Sequence, residues 1–247
     1  MLLQFSIFHI VFALGLFYIW QKIDLKPDYK HYIKISFLVG LPLGLAVDFL
    51  GVFVFKMWYY DANNLPNYLI TNLATWIVAT PLVIETTDYF LSISNKFKSR
   101  FKINETIFSF KYYLIEFLFT LSSVLYLYLA KTFWGLQTSD VGVILFCGLL
   151  IFAICDSVLG LLKIEGILTK ILKGNYLHVG ALVVAGLVTG FLWEMFNYYI
   201  RIWFWVESQW SSPQFLNIPV AIMFMWCGLN LCYWSLLEIY KKFRIVG

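Results

Sequence analysis

The sequence predicts an all-α integral membrane protein with seven transmembrane helices. Of its 247 residues, 61% are hydrophobic, 20% are aromatic and only 13% are charged, a balance that a soluble globule of this size could not bury. A helix needs about 20 mainly apolar residues to cross a bilayer, and runs of that length recur along the chain. We therefore expect one multi-pass domain over residues 1–247, in the cell (inner or plasma) membrane.

The seven predicted spans follow one another with short connections. They cover residues 2–20, 32–58, 68–90, 112–133, 141–162, 177–200 and 215–237. The first span is interpreted as a retained helix and not as a signal peptide. No basic segment precedes it, Lys22 follows it, and no small-residue cleavage site comes before the flanking YIWQK.

The loops predict the orientation, because Lys and Arg accumulate on the cytoplasmic side of membrane proteins. The odd-numbered connections and the tail are basic, whereas the even-numbered ones carry basic residues at their edges, at Lys56, Lys131 and Arg201. We expect the N-terminus outside and the C-terminus inside. The net charge of +4 then follows from topology. It implies contacts with membrane lipids and no nucleic-acid partner.

Two stretches share a pattern that predicts an internal repeat. GLAVDFLGVFVFKMWYY begins at Gly44 and GFLWEMFNYYIRIWFWV begins at Gly190, and each has an acid four residues later, Asp48 or Glu194. Parallel three-helix repeats over residues 1–93 and 141–241, joined by a linker helix at 112–133, would give this pattern. Chance agreement is the alternative. A homo-oligomer is also compatible with the sequence.

The candidate catalytic groups are carboxylic acids within the predicted spans: Asp48 and Glu194 in the outer half, and Glu85 and Asp88 in the inner half. Ionisable groups that face hydrocarbon cost about 2.5–3.5 kcal/mol on insertion scales, so those that occur usually face the protein interior. Burial without a cationic partner favours the neutral acid, which can donate a proton. The alternative is a structural role, in hydrogen bonds between helices.

The candidate substrate-binding residues lie beside these acids. They are Asn197, Trp193, Trp58, Trp76 and Asp156. Asn197 follows Glu194 by three residues, so both lie on one helical face. Arg201, on the same face, either extends to the interface or keeps Glu194 ionised. Tryptophans at span ends, including Trp58 and Trp203, are expected mainly in the interfacial aromatic belt.

The remaining patterns argue against several classes of site. His9, His31 and His178 are far apart, and the four cysteines lie within predicted spans, where they are expected to act as small apolar residues. The chain has no P-loop, dinucleotide fingerprint or nucleophile elbow, and the last span has no central lysine for a retinal Schiff base. We expect no metal and no cofactor.

Two resemblances suggest an activity. Asp48, Trp58, Tyr59 and the segment PLVIETTDYF (residues 81–90) resemble the small integral-membrane lycopene cyclases. That family has adjacent glutamates two residues after proline, whereas Glu85 follows Pro81 by four residues, and the segment VAIMFMW after Pro219 contains no acid. The pair Trp193 and Glu194 is similar to the acidic motif of small seven-helix membrane terpene cyclases.

The resemblance implies an enzyme of isoprenoid or carotenoid metabolism, an isomerase that needs no cofactor. A protonated carboxyl would add a proton to a hydrophobic polyene or epoxide, aromatic rings would stabilise the carbocation, and a second carboxylate would remove a proton. WEMFNYY and TPLVIETTDYF also look like segments of uncharacterised bacterial membrane proteins.

A transporter is the main alternative. A three-plus-one-plus-three arrangement resembles the small sugar and amino-acid transporters built from parallel repeats, although the Pro-Gln pair expected in their helices occurs here at Pro213 and Gln214, in a predicted loop. A lipid-binding membrane protein without turnover is the third interpretation.

Overall fold

The computed structural model describes residues 29–54, 56–60, 65–96, 110–134, 141–200, 203–206, 214–215 and 218–245. The described chain is mostly helical. Its helices are α1 (Tyr29–Ile35), π1 (Ser36–Gly40), α2 (Leu41–Asp48), π2 (Phe49–Val54), α3 (Leu65–Lys96), α4 (Phe110–Trp134), α5 (Val141–Leu161), α6 (Ile167–Leu172), α7 (Tyr176–Ile200) and α8 (Val220–Ile245). Its strands are β1 (Trp58–Tyr60), β2 (Trp203–Trp205), β3 (Gln214–Phe215) and β4 (Ile218–Pro219).

Four helices in the described chain are long and apolar enough to cross a membrane: Tyr32–Phe53, Lys111–Ala130, Tyr176–Tyr198 and Ile222–Phe243. Phe152–Leu161, within α5, is a shorter apolar helix. These helices confirm the prediction of a helical chain compatible with a membrane protein. The predicted span at 2–20 lies outside the described residues.

Residues 29–54 form one helical rod that contains two π-helical segments. The junction residues Ile35, Leu41 and Phe49 keep helical backbone angles, so the rod is not interrupted. A π-helical turn holds one more residue than an α-helical turn. Segment π2 lies between Asp48 and strand β1, and it therefore changes the number of residues that connect them. The predicted span at 32–58 ends earlier than expected, because Trp58 belongs to a strand.

The helices pack in a connected series around two apolar clusters. α7 packs against α8 and α3, and α5 packs against α8 and α4. The larger cluster includes Trp76, Trp193, Trp226 and Tyr233, each less than 8% exposed. In contrast, α4 exposes large apolar side chains such as Phe119 and Phe133 (71% and 74% exposed). This surface agrees with a lipid environment, since in water it would be unfavourable by about 25 cal/mol per Å².

Two glycines allow tryptophan rings to lie directly on neighbouring helices. A Cβ atom added at Gly44 would lie 2.1 Å from the Trp76 ring, and one added at Gly190 would lie 2.4 Å from Cγ of Trp226. Each glycine comes four residues before one of the acids of the predicted repeat. The absence of a side chain therefore brings each tryptophan close to a buried carboxyl.

We expect Gly44→Ala to destabilise the fold by about 1–3 kcal/mol, because the methyl group would overlap the Trp76 ring. The matched control is Gly180→Ala, since nothing lies within 4 Å of a Cβ at that position and alanine is favoured in helices by up to about 1 kcal/mol. Thermal unfolding in detergent micelles would compare the two apparent Tm values. Equal values would contradict the close contact at Gly44.

Candidate functional site

Strands β1 and β2 form a two-stranded ribbon that carries six aromatic residues. The strands are antiparallel, with Trp58 opposite Trp205, Tyr59 opposite Phe204 and Tyr60 opposite Trp203. Side chains alternate between the two faces of a strand. The central pair, Tyr59 and Phe204, stacks with ring centroids 5.4 Å apart. The outer two pairs lie on the other face, and they supply two hydrogen-bond donors to each of the buried carboxyls Asp48 and Glu194.

The first carboxyl, Asp48, lies in a ring of aromatic hydrogen-bond donors. Its Oδ1 accepts from Nε1 of Trp58 at 3.3 Å and from the hydroxyl of Tyr60 at 2.8 Å. Its Oδ2 accepts from Nε1 of Trp76 at 2.5 Å. Asp48 is 1% exposed. Asp48 is the last residue of α2, so its hydrogen bonds connect this end of the helix both to the ribbon and to α3.

The second carboxyl, Glu194, has a closely similar environment. Its Oε2 accepts from Nε1 of Trp203 at 3.4 Å and from Nε1 of Trp205 at 3.1 Å. Its Oε1 accepts from Nε1 of Trp226 at 3.1 Å. Glu194 is 2% exposed. As at Asp48, two donors come from the ribbon and one from a neighbouring long helix, here α8.

Both clusters are suited to hold a carboxyl group in place. An indole N–H is a donor and never an acceptor, and bonds from such donors to an ionised carboxylate are shorter and stronger than neutral ones. Trp193 fills the space beside the Glu194 cluster, because it stacks on Trp203 at 6.2 Å and contacts Trp226 at 6.3 Å between ring centroids. Tryptophans 58 and 203, expected in the interfacial belt, are instead buried against carboxyls.

Asn197 fixes the path from helix α7 into strand β2. Its Nδ2 donates to the Trp203 carbonyl at 2.9 Å, and its Oδ1 accepts from the Trp203 backbone N–H at 3.1 Å. The amide therefore satisfies both backbone groups of one strand residue, as a neighbouring strand would. Glu194 and Asn197 lie on one helical face because they are three residues apart, and both therefore reach Trp203. Arg201 lies outside the described residues.

Glu85 and Asp88 form a different kind of acidic pair on α3. Glu85 is 4% exposed. Asp88, one turn later, is exposed. Glu85 follows Trp76 by nine residues, which corresponds to about 13 Å along the helix axis. The structure thus separates this pair from the Asp48 cluster.

A series of polar side chains crosses the helical interior, and none of them was predicted as a site residue from the sequence. Thr80 and Tyr233 bond through their hydroxyls at 3.1 Å. Thr87 donates to Asn230 at 2.9 Å, and Asn230 in turn donates to the carbonyl of Leu182 at 2.8 Å. These contacts join α3, α7 and α8. Asn230 is a polar residue within an apolar run, and this was the signal that could have identified it.

Asp156 lies apart from the tryptophan clusters and holds a turn together. Its Oδ1 accepts from the backbone N–H groups of Ile167 and Leu168, the first residues of α6. The residue before this helix, Gly166, has no capping side chain, and Asp156 supplies the missing acceptor from α5. These contacts stabilise the α5–α6 connection, and a role of Asp156 in substrate binding stays a prediction.

Two partly exposed ion pairs lie near the same connection. Glu165 contacts Lys170 and Lys173, each at 3.2 Å. Partial burial of Glu165 raises the pKa of its carboxyl, but the two lysines outweigh that effect and the pKa is lowered. This group is therefore a carboxylate near neutral pH.

Among the described residues, no group of three or more His, Cys, Asp or Glu side chains has an arrangement that could hold a metal ion.

Comparison of the chain with protein-family models, with curated proteins and with solved structures finds no match.

We expect Tyr60→Phe to destabilise the protein, because it removes the 2.8 Å hydrogen bond to a buried carboxyl. A lost hydrogen bond to such a group costs about 1–3 kcal/mol. Tyr59→Phe is the matched control: the same hydroxyl is lost from the adjacent residue, whose ring is 52% exposed on the other face of the ribbon. Thermal unfolding in detergent would show a lower Tm for Tyr60→Phe alone. Equal Tm values would rule out a stabilising role for this bond.

Proposed function

We propose that the protein is a membrane-embedded enzyme that cyclises an isoprenoid substrate by acid catalysis, without a cofactor. The observation that carries the proposal is the environment of Glu85. This residue is almost fully buried, and Val83, Ile84 and Thr87 beside it on α3 are buried as well. A buried carboxyl in such a site favours its neutral form, and a neutral acid can transfer a proton to an apolar substrate.

Asp88 supplies the second group of the reaction. It lies three residues after Glu85, on the same side of α3. In the proposed sequence, Glu85 protonates a terminal carbon–carbon double bond, and a neighbouring double bond attacks the resulting carbocation to close a ring. Asp88 then accepts a proton from a ring carbon. Transfer of that proton back to Glu85 completes the cycle, so the product is an isomer of the substrate.

Asp48 and Glu194 have a supporting role in this proposal. Each carboxyl already accepts three hydrogen bonds from aromatic side chains, so both oxygen atoms of each group are already bound by donors of the protein itself. Of the two acid pairs that the sequence suggested, Glu85 with Asp88 is therefore the better candidate for catalysis. Asp48 and Glu194 would fix the ribbon and the helices around it.

The test is pigment chromatography from a lycopene-accumulating bacterial host that expresses the protein. A new cyclised pigment is expected, and Glu85→Gln should lower its yield by about 10²–10⁴-fold, the usual contribution of general acid catalysis. The matched control is Glu238→Gln, since Glu238 is paired with Lys241 at the surface. Asp48→Asn and Glu194→Gln should act through stability, with a lower Tm.

Two results would contradict this proposal. An unchanged pigment profile with folded wild-type protein would remove lycopene as the substrate. A full yield from Glu85→Gln, with loss of product in folded Glu194→Gln, would transfer the role of proton donor to Glu194.

A proton-coupled or small-solute transporter is the second candidate, and the interior polar series favours it. The hydroxyl and amide groups of Thr80, Tyr233, Thr87 and Asn230 lie between the long apolar helices, where a transport path needs polar groups. Uptake into proteoliposomes that depends on a proton gradient, and that is lost in Asn230→Leu, would support transport. Formation of a cyclised product without any gradient would favour the enzyme.

We also propose the full topology of seven spans in two parallel repeats, with the C-terminus inside. The similar donor sets of Asp48 and Glu194 and their shared ribbon support the repeat. A C-terminal fusion to green fluorescent protein should fluoresce, whereas a fusion to alkaline phosphatase should be inactive, because these reporters work on opposite sides of a bacterial inner membrane. The reverse pair of results would overturn the orientation.

A further inference from the structure

Two lysines from different helices meet at one end of α5. Lys163 comes shortly after the last residue of α5, and Lys242 lies near the end of α8. The ammonium group of Lys242 donates a hydrogen bond to the carbonyl oxygen of Leu162, the residue directly before Lys163. Two positively charged residues that are distant in sequence are therefore brought to the same point.

The backbone at Lys163 has a left-handed conformation, with a φ of 58°. Its N–H donates to the carbonyl of Gly160 at 3.0 Å, and the N–H of Ile164 donates to the carbonyl of Leu159 at 2.9 Å. These two bonds form a Schellman motif, in which glycine usually occupies the left-handed position. A side chain is unfavourable in this conformation, so the stability of the turn does not explain why a lysine occurs here.

The charges around this connection are only partly balanced. The other described lysines after α5 and at the end of α8 form ion pairs with glutamates: Lys170 and Lys173 with Glu165, and Lys241 with Glu238. Within the described part of the chain, Lys163 and Lys242 have no such acidic partner. Two positive charges at this end of the helices are therefore available to an anion.

We propose that Lys163 and Lys242 bind the phosphate group of an anionic phospholipid. Lysine is a common ligand of phosphate, and basic residues beside a membrane-crossing helix attract anionic lipids. An ammonium group has three N–H donors, so Lys242 keeps two after its bond to the Leu162 carbonyl. Lys163 is exposed and Lys242 is partly exposed, and a headgroup can therefore approach both from outside the protein.

The position of the two lysines favours a lipid over a soluble anion. The apolar span Ile222–Phe243 ends one residue after Lys242, and the shorter apolar helix Phe152–Leu161 ends two residues before Lys163. Such helix ends lie at the level of the lipid headgroups. Phe243, directly after Lys242, is 60% exposed. A phospholipid would therefore place its phosphate on the lysines and an acyl chain against this apolar ring.

The test measures lipid binding to the purified full chain by native mass spectrometry in detergent. The probes are dioleoyl phosphatidylglycerol, which has a net negative charge, and dioleoyl phosphatidylcholine, which has none. The wild-type chain should bind phosphatidylglycerol more tightly. Lys242→Gln should weaken this binding about fivefold, the effect expected from one lysine near an anionic lipid surface.

Lys241→Gln is the matched control. It removes the same charge from the adjacent residue, which is paired with Glu238 at 2.8 Å, and it should leave the affinity for phosphatidylglycerol unchanged. An equal loss of affinity in Lys241→Gln and Lys242→Gln would overturn the proposal, because it would show a general attraction to the charged surface and no specific site.

Lys163→Gly separates lipid binding from a role in the fold. This variant should also bind phosphatidylglycerol about fivefold more weakly. In lipid-free detergent its Tm should rise, because glycine adopts the left-handed conformation without strain. A lower Tm with unchanged lipid binding would mean that Lys163 has a structural role only, and would contradict the site. Lys163→Gly also decides the question if Lys242→Gln fails to fold.

Two results with the wild-type chain would overturn the proposal as well. One is equal affinity for phosphatidylglycerol and phosphatidylcholine. The other is a rise in Tm with inorganic phosphate alone that equals the rise with phosphatidylglycerol, since the site would then bind a soluble anion. None of these measurements depends on the proposed catalysis.

Discussion

A carboxyl group among apolar helices needs hydrogen-bond donors, and this requirement organises the described part of the chain. Leaving a buried acceptor unsatisfied costs about 1–3 kcal/mol, and more when it is charged. Asp48 and Glu194 are both almost fully buried, and each is satisfied by donors from three aromatic side chains. Tryptophan suits this role because one residue supplies both a donor and a large apolar ring. Each cluster therefore satisfies its carboxyl and fills the surrounding space with the same side chains.

The donors come from two sources, and this explains how distant segments are held together. In each cluster the ribbon provides two donors and a long helix provides the third: Trp76 from α3 for Asp48, and Trp226 from α8 for Glu194. The ribbon in turn joins residues near 59 to residues near 204. Two short strands thus connect the two halves of the chain, although the helices account for nearly all of the described structure.

The acids and their spacing could be predicted from the sequence, but the arrangement of their partners could not. The four-residue step from glycine to acid predicted the helical face of Asp48 and of Glu194, because helical periodicity is a local property. Trp58 and Trp203 were expected at lipid headgroups, since their direction depends on strand pairing between positions more than 140 residues apart. The contacts of Asp156 involve backbone N–H groups, which leave no pattern of residue types.

The π-helical segment after Asp48 affects how the two halves of the chain can be aligned. Asp48 and Glu194 are offset by 146 residues, whereas Trp58 and Trp203 are offset by 145, since Trp58 follows its acid by ten positions and Trp203 by nine. A π-helical turn absorbs one extra residue without breaking the helix, so both acids still meet their tryptophans. An alignment of the halves without gaps would match either the acids or the aromatic strands, never both. A single gap within residues 49–54 would bring both into register.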